Sequence, residues 1–287
     1  MVISMACFAI EDSFIKLASE TIPVGEILVI LAIGGTAAFS LLSLATGQAP
    51  LPKAAFKGYA GLRSLFEAIA AVGFVSALAL VPISLVTTII QVNPILVALG
   101  AVLFFNETVG WRRWLSISFG LLGVLIVLRP FGEAFELAAL FAVMGVIAQT
   151  GRDLVTRRVK TQISSMQLST AGFAAILPAG LITAWINNET FVVPSGDGLL
   201  FVVGAFVISL PGLYTIIASV RIGDMSFVVP FRYSRIIFGL TVGLLIFNET
   251  LDTYTIIGAV MIIASGLYTL FREARLRRAS LSDTRAL

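Results

Sequence analysis

The chain has 287 residues; 58% of them are hydrophobic, only 12% are charged, and the formal net charge is +3. Soluble domains hold about 45–50% apolar residues, so this composition, with its mean hydropathy of +1.02, excludes a water-soluble globular protein and predicts a membrane protein. The lack of histidine and the single cysteine, Cys7, argue against a metal site, an intrachain disulfide and histidine-based catalysis.

Apolar segments follow one another along the chain, separated by polar residues, prolines and glycines. A helix needs about 20 mostly apolar residues to cross a bilayer, and each segment has close to that length. The first contains Glu11, Asp12 and Lys16 and lacks a basic leader, so we expect a span and not a cleaved signal peptide. The sequence thus predicts an all-α integral membrane protein whose ten transmembrane helices lie near 1–19, 25–46, 60–81, 84–105, 112–128, 135–156, 164–186, 198–219, 225–247 and 253–271.

The basic residues predict the orientation of these spans. The chain has 19 lysines and arginines. If the N-terminus is cytoplasmic, all of them lie in the loops on that side except Lys16, Arg129, Arg232 and Arg235. Cytoplasmic loops are enriched in these residues, so we expect both termini inside, in a bacterial cytoplasmic (inner) membrane. The basic segment 272–287 would then be a cytoplasmic tail against anionic lipid.

One polar tetrad, FNET, occurs twice, at 105–108 and at 247–250. Aligning the two copies also aligns the apolar runs before them, which indicates a five-span unit written twice, at 1–128 and 135–271. An odd number of spans separates the copies, so the repeats are predicted to be inverted. Inverted repeats are typical of secondary transporters that work by alternating access.

Within the tetrads, Asn106 and Asn248 are suited to the left-handed conformation that ends a helix, and a following threonine or aspartate can cap the next helix. Glu107 and Glu249 are expected beside helix N-termini, where the helix dipole favours an anion. We interpret these residues as structural, with a gating role as the alternative.

The repeats resemble a known family. NPILVALGAVLFFNE at 93–107 and PFRYSRIIFGLTVGLLIFNE at 230–249 are similar to the EamA-type repeats of the drug/metabolite transporter superfamily. The resemblance covers nearly the whole chain and implies transport of a small metabolite. Members of the superfamily move amino acids, riboflavin, S-adenosylmethionine or nucleotide-sugars. The aromatic amino-acid exporter branch is the first expectation, and the riboflavin and S-adenosylmethionine importers are the alternative.

Two arginines in span nine are the strongest candidates for substrate contact. At 1.5 Å per residue, Arg232 lies about a third of the way into the span and Arg235 close to the midplane. Three residues apart, they share a helix face, and Pro230 frees a backbone carbonyl beside them. An arginine at this depth needs a carboxylate, water or a substrate anion. We therefore weigh a cavity-lining role for Arg235 against a structural ion pair.

Superposing the repeats places a second polar pair at similar depth in span four. Gln91 falls on Tyr233 and Asn93 on Arg235, with Pro94 following. Two proline-broken helices would then face each other at the pseudo-axis, where a midplane site is expected. We predict that spans three, four, eight and nine surround it.

Other candidates come from spans three, seven and eight. Arg63 and Glu67 form an i, i+4 pair in span three, either mutually neutralised or with Glu67 offered to a substrate ammonium or a coupling proton. Tyr214 and Trp185 are aromatic candidates, with packing in the core or at the membrane interface as the equal alternative.

A weaker superposition sets Asp12 on Asp153 and Lys16 on Arg157. We interpret these charges as gate or coupling candidates. Two intramembrane aspartates also raise the possibility of an aspartyl protease, but inverted symmetry puts them toward opposite sides, too far apart to share a proton.

The sequence predicts a secondary transporter and not an enzyme. Its expected partners are the lipid bilayer and an amino acid or similar small metabolite, with no cofactor, no metal and no nucleic acid, and a monomeric state is compatible with the pattern.

Overall fold

The computed structural model describes residues 1–105, 110–129, 136–159, 162–194, 196–222 and 229–285. Over these ranges the chain is helical, and no strand occurs among them. The α-helices are α1 Val2–Ala18, α2 Val24–Ala45, α3 Gly58–Leu80, α4 Ile83–Ile90, α5 Asn93–Phe105, α6 Trp111–Leu128, α7 Ala139–Thr156, α8 Ser165–Ile186, α9 Asp197–Ile222, α10 Ser234–Leu245 and α11 Thr253–Arg285. Short 3₁₀ helices occupy Lys53–Phe56 and Val229–Tyr233.

The helices follow the predicted apolar segments closely, and the largest difference is at the C-terminus. The segment 272–287 was predicted as a tail separate from the last span, but α11 continues without a break to Arg285. The helix continues because the basic segment contains arginine, alanine, leucine and glutamate, which favour helix, and neither glycine nor proline to end it. A cytoplasmic tail at 272–287 stays a prediction.

By length and composition, four stretches within the described residues are long and apolar enough to cross a membrane. They are Val24–Ala45, Gly58–Leu80, Ile83–Phe105 and Ser165–Ile186. Shorter apolar helical stretches are Trp114–Leu128, Asp197–Gly212 and Thr253–Thr269.

Prolines interrupt the helical path at two corresponding places. The predicted span 84–105 is divided into α4 and α5 with Pro94 in the first turn of α5, where a proline needs no hydrogen-bond partner but prevents continuation of the preceding helix. In the second half, Pro230 lies in a 3₁₀ turn, and α10 begins only at Ser234. The predicted break in span four is thus confirmed.

The main helix contacts join the two halves of the chain. Helix α2 packs along α8, α3 along α7, α1 along α9 and α6 along α11, while α4 contacts α10. Small residues allow this close packing: a Cβ at Gly73 of α3 would come within 2.8 Å of the backbone of Gly145 in α7. Across α6 and α11, the Ser116 hydroxyl lies 2.9 Å from the carbonyl of Ser265.

At one end of the bundle, Glu249 has the role predicted for it, although on a different helix. Its carboxylate accepts hydrogen bonds from the backbone N–H groups of Ile83 (2.6 Å) and Ser84 (3.1 Å) at the start of α4. Asn248 before it is left-handed, with φ of 50°, which confirms the predicted conformation. The helix that follows, α11, is capped by Asp252, which accepts from the N–H of Thr255 at 2.6 Å. Asn106 and Glu107 lie outside the described residues.

A third Asn-Glu-Thr sequence, at 188–190, uses the same geometry. Asn188 is left-handed, with φ of 52°, and Glu189 accepts a hydrogen bond of 2.8 Å from the N–H of Gly25 at the start of α2. Pro23 and Pro82 directly precede the two helices that receive these glutamates. The motif therefore ends one helix and holds the first turn of another, since unpaired N–H groups at a helix N-terminus attract a carboxylate.

Candidate substrate-binding site

A cavity of about 350 Å³ lies among α1, α2, α3, α7, α8 and α9. Most of its wall is apolar, but four charged side chains line it, namely Glu11, Arg63, Glu67 and Arg152. Aromatic rings contribute a second group of wall residues: Phe8, Phe39, Phe173 and Phe206. Cavities with apolar walls and a few fixed polar groups are typical of small-molecule sites.

The position of the cavity differs from the prediction. Spans three and eight, now α3 and α9, line it as expected, but α4, α5 and α10 contribute no residue to its wall. The reason is packing: α4 and α10 contact each other, and α10 also packs on α1, so these helices face one another and not this cavity.

The charged end of the cavity is a network joining α3 to α7. Arg152 donates from Nη1 to Glu67 at 2.9 Å and from Nη2 to Asp153 at 2.9 Å. Glu67 also pairs with Arg63 at 3.4 Å, which confirms the predicted i, i+4 pair. Arg63 in turn donates to the carbonyl of Leu168 on α8 at 3.0 Å. Opposite charges held by several bonds are rigid, because each side chain has more than one partner.

Asn93 supports this network from the proline-broken helix. Its side-chain amide donates to Asp153 at 3.0 Å and accepts from the Thr150 hydroxyl at 2.9 Å. Asn93 therefore positions a charged side chain of the neighbouring helix α7 and does not line the cavity.

Arg235 forms an ion pair with Asp12 of α1, at 2.6 Å. Its guanidinium also lies 5.5 Å from the ring centre of Phe8, a residue of the cavity wall. Of the two alternatives for Arg235, the structure contains the ion pair. The Arg235 side chain contacts the lining residue Phe8 but does not itself line the cavity. Direct contact of Arg235 with substrate stays a prediction.

The other polar residues of the broken helices bind each other or are buried. Gln91 donates from its side-chain amide to the carbonyl of Arg232 at 3.1 Å, so the two broken segments do meet as predicted. Tyr233 is 5% exposed, and its ring packs over Gly266 of α11 where any larger side chain would collide. These residues join helices to each other and are absent from the cavity wall.

Of the two aromatic candidates, one is described in the structure. Trp185 is 79% exposed at the end of α8 and is not among the residues that line this cavity, so the alternative of a residue on the outer surface of the bundle fits its exposure. Helical rotation, which the sequence pattern left open, turns it outward. Tyr214 belongs to α9, but its side chain lies outside the described part of the chain.

The gate candidates occupy helix ends. Lys16 donates to the carbonyls of Leu78 (3.0 Å) and Val81 (2.7 Å) at the end of α3 and lies 5.5 Å from the ring of Phe247. A cation is favourable there, because the last carbonyls of a helix are unpaired and negative. Arg157 is exposed and lies 5.8 Å from the ring of Phe105. A gating role for either residue stays a prediction.

Asp12 and Asp153 bind different arginines on different helices. Asp12 pairs with Arg235 of α10, and Asp153 pairs with Arg152 beside it on α7. A catalytic dyad needs two carboxylates that share a proton, whereas each of these is held by its own guanidinium.

Sequence reasoning missed two residues of the cavity. Arg152 was counted among the basic residues of a cytoplasmic loop, but it lies within α7, 24% exposed, at the centre of the network. Glu11 was noted only as an interruption of an apolar run, yet it lines the cavity. The sequence did contain a signal for both residues, since each is a charge inside an apolar segment and such charges need a partner within the bundle.

Comparison with known proteins finds sequence similarity to transporters. Residues 1–129 match the model of the EamA-like transporter family. The S-adenosylmethionine uptake transporter of Rickettsia conorii (strain ATCC VR-613 / Malish 7) is 26% identical over 216 residues, which cover 75% of this chain and 72% of that protein. The riboflavin transporter of Rhizobium johnstonii (strain DSM 114642 / LMG 32736 / 3841) is 27% identical over 219 residues, covering 75% and 71%.

An exporter and a solved structure extend the similarity to almost the full length. The pseudopaline exporter CntI of Pseudomonas aeruginosa (strain UCBPP-PA14) is 24% identical over 272 residues, 92% of each chain. A solved crystal structure matches 96% of this chain and 97% of its own with a TM-score of 0.56 at 17% identity, which indicates a shared fold. The names of the family and of these relatives are those of transporters, not enzymes. Over its first 129 residues the chain is therefore similar to the EamA-like transporter family, and over most of its length it is similar to proteins named as transporters.

Proposed function

We propose that the chain is a secondary transporter that moves a small zwitterionic metabolite of the amino-acid class across the cytoplasmic membrane, with export as the leading direction. The observation that carries this proposal is the cavity itself. Carboxylates, guanidinium groups and four phenylalanines line it together, in a chain whose residues 1–129 match a transporter family.

The charge pattern of the cavity suits a substrate with both signs of charge. Arg152 is already held by two carboxylates, Glu67 and Asp153. Arg63 has a looser pair, 3.4 Å to Glu67, and its Nε has no hydrogen-bond partner although it is buried. A substrate carboxylate would find its donor at Arg63, because a guanidinium recognises a carboxylate through several N–H groups at once.

The proposed architecture is ten spans in two inverted five-span repeats, 1–128 and 135–271. Helix packing supports it. The first unit is α1 to α6 and the second is α7 to α11, so that α1 corresponds to α7, α2 to α8, α3 to α9, α4 to α10 and α6 to α11. Under this correspondence the α3–α7 contact is equivalent to the α9–α1 contact. The α2–α8, α4–α10 and α6–α11 contacts each join two corresponding helices. Such a symmetric set of contacts allows two halves to exchange shapes during alternating access.

The proposed orientation has both termini in the cytoplasm. Contacts between helix ends support a consistent alternation of direction. Lys16, Val81 and Glu249 meet at one end of the bundle. At the other end Arg158 donates to the carbonyl of Phe104 and lies 5.9 Å from the ring of Tyr59. The second end is the more basic one, as the cytoplasmic side should be.

A second candidate is uptake of S-adenosylmethionine or riboflavin. The aromatic wall favours it: the rings of Phe39 and Phe173 stack with centroids 5.6 Å apart beside the cavity. A flat adenine or isoalloxazine ring gains free energy against such faces. Two of the relatives are named for these compounds.

Counterflow into proteoliposomes tests the proposal. Vesicles with purified protein are preloaded in turn with phenylalanine, S-adenosylmethionine or riboflavin, and uptake of the same labelled compound is followed. Accumulation with phenylalanine supports the amino-acid class, and accumulation with riboflavin alone supports the second candidate. Absence of exchange with every compound of these classes, in vesicles whose protein is folded, would contradict transport of either class.

A further inference from the structure

The carboxylate of Glu11 differs from the other charged groups around the cavity. It lies one residue before Asp12, whose carboxylate is bound by Arg235. Among the residues that the structure describes, the Glu11 side chain has neither a hydrogen bond nor an ion pair. Glu67, the other cavity carboxylate, is paired with both Arg63 and Arg152. Glu11 is therefore the acceptor with unused capacity.

The geometry of α1 explains why neighbouring acids have different surroundings. Successive residues of a helix project about 100° apart, whereas residues three or four apart share a face. Phe8, Glu11 and Ile15 follow this spacing, and all three line the cavity. Asp12 lies on the next face, toward α10, where it meets Arg235. The helix thus presents one acid to the cavity and the other to a packing partner.

A carboxylate facing an apolar cavity is costly unless a cation or solvent meets it. Among the described residues, neither arginine of the cavity pairs with Glu11: Arg152 binds Glu67 and Asp153, and Arg63 uses its two Nη atoms for Glu67 and a backbone carbonyl of α8. A ligand with its own positive charge would supply the missing partner.

We propose that Glu11 binds the cationic centre of the transported substrate, an ammonium or sulfonium group, while the Phe8 ring beside it contacts the apolar part. This inference rests on the proposed transport function and names the residue that would recognise the substrate's positive charge. Asp12 next to it has a structural role toward Arg235.

The test compares compounds with and without the positive charge. Phenylalanine is set against 3-phenylpropanoate, which lacks the ammonium group, and S-adenosylmethionine against S-adenosylhomocysteine, which lacks the sulfonium charge. Two measurements are made for each pair: competition in counterflow, and the rise in melting temperature of the purified protein in detergent. The second does not require transport. The variants are Glu11→Gln and Glu11→Asp. The matched control is Glu20→Gln, which changes an exposed carboxylate just after the end of α1.

For at least one pair, wild type and Glu20→Gln should prefer the charged compound by about tenfold, since loss of one partner of a desolvated charge pair has an effect of at least this size. Glu11→Gln should reduce the preference to about threefold or less, and Glu11→Asp should keep it with weaker binding. If Glu11→Gln does not fold, the inference is judged on Glu11→Asp, where an affinity equal to that of wild type would overturn it.

Three results separate the inference from the transport proposal. Binding that depends on Glu11 without any counterflow would support the cation site and contradict transport. Counterflow in which Glu11→Gln keeps the full preference for charge would contradict the cation site alone. If Glu11→Gln loses only a stimulation of flux by a proton gradient and keeps the preference, the carboxylate binds a proton and not the substrate cation, which also overturns the inference.

Discussion

Two groups of charges inside the helix bundle both pair arginine with carboxylates, but they differ in the number of hydrogen bonds that each arginine makes. Between α3 and α7, Arg152 has three hydrogen bonds to two carboxylates, and those carboxylates have further partners. Between α1 and α10, Arg235 has one hydrogen bond, to Asp12. The first group forms part of the cavity wall, and the second lies behind it.

The difference shows what an arginine deep in an apolar segment indicates. It indicates an opposite charge nearby, because desolvation must be compensated, but not a cavity. A network with several bonds per side chain resists helix movement, whereas a pair with one bond can separate when one helix shifts. Because helix α10 follows a proline-containing 3₁₀ turn, we propose that the Asp12–Arg235 pair, and not the network, separates during transport.

The largest effect is expected from Arg152→Ala. This change leaves Glu67 and Asp153 without their main partner, so the free energy of unfolding should fall by about 3–5 kcal/mol, and counterflow should be lost. The melting temperature in detergent measures the first effect. Arg112→Ala, at an exposed arginine, is the control. A melting temperature for Arg152→Ala equal to that of the control would show that the network is not stabilising.

A double-mutant cycle on the Asp12–Arg235 pair should give a smaller effect. Arg235→Ala should remove transport but leave membrane insertion intact, because insertion tolerates the loss of an intramembrane charge. Asp12→Ala and Arg235→Ala should each destabilise the protein, and the double variant should cost less than their sum by about 1–3 kcal/mol. Wild-type flux in Arg235→Ala, or strictly additive effects, would contradict a coupled pair involved in transport.

Glu249→Gln tests a half-buried charge that is balanced by backbone N–H groups and not by an arginine. Glutamine keeps one acceptor oxygen for the two N–H groups of Ile83 and Ser84, so we expect a loss of about 1–2 kcal/mol in the free energy of unfolding. Glu189→Gln is the matched comparison, since Glu189 accepts one backbone N–H, from Gly25, and an exposed hydrogen bond from the Asn187 side chain. A larger loss at Glu189 than at Glu249 would contradict this explanation.

The smallest effect is expected at the exposed pair of Arg129 and Asp252. The Asp252 side chain is 47% exposed, and pairs of this kind contribute about 0–1 kcal/mol. Arg129→Ala should therefore shift the melting temperature little, and less at 0.5 M salt than at low salt. A shift as large as that of Arg235→Ala would mean that exposure does not distinguish these charge pairs.

Hydropathy and turn residues were sufficient to predict much of the fold. Helix ends such as those of α2 and α6 lie within a few residues of the predicted segments, and the break before Pro94 and the left-handed Asn248 followed from local preferences. These features depend on a few neighbouring residues, so the sequence pattern carries them. The continuation of α11 to Arg285 was missed because charge was given more weight than helix propensity.

The site was harder to predict because helical rotation and packing decide which side chains face a cavity. Depth along a span identified Arg235 and Asn93, but their partners Asp12 and Asp153 come from helices far apart in sequence. Nothing local distinguishes Glu11, which faces the cavity, from Asp12, which faces α10.

Apolar length, proline and capping residues act over one or two helical turns, so the amino-acid pattern was enough to predict a lipid environment, the helices and their ends. It also showed that charges would be buried. Only the tertiary structure decided which charges meet, since an ion pair forms between side chains a few ångströms apart whatever their separation along the chain. Helix packing therefore assigned Arg235 to Asp12 and Arg152 to Glu67, and left Glu11 facing the cavity.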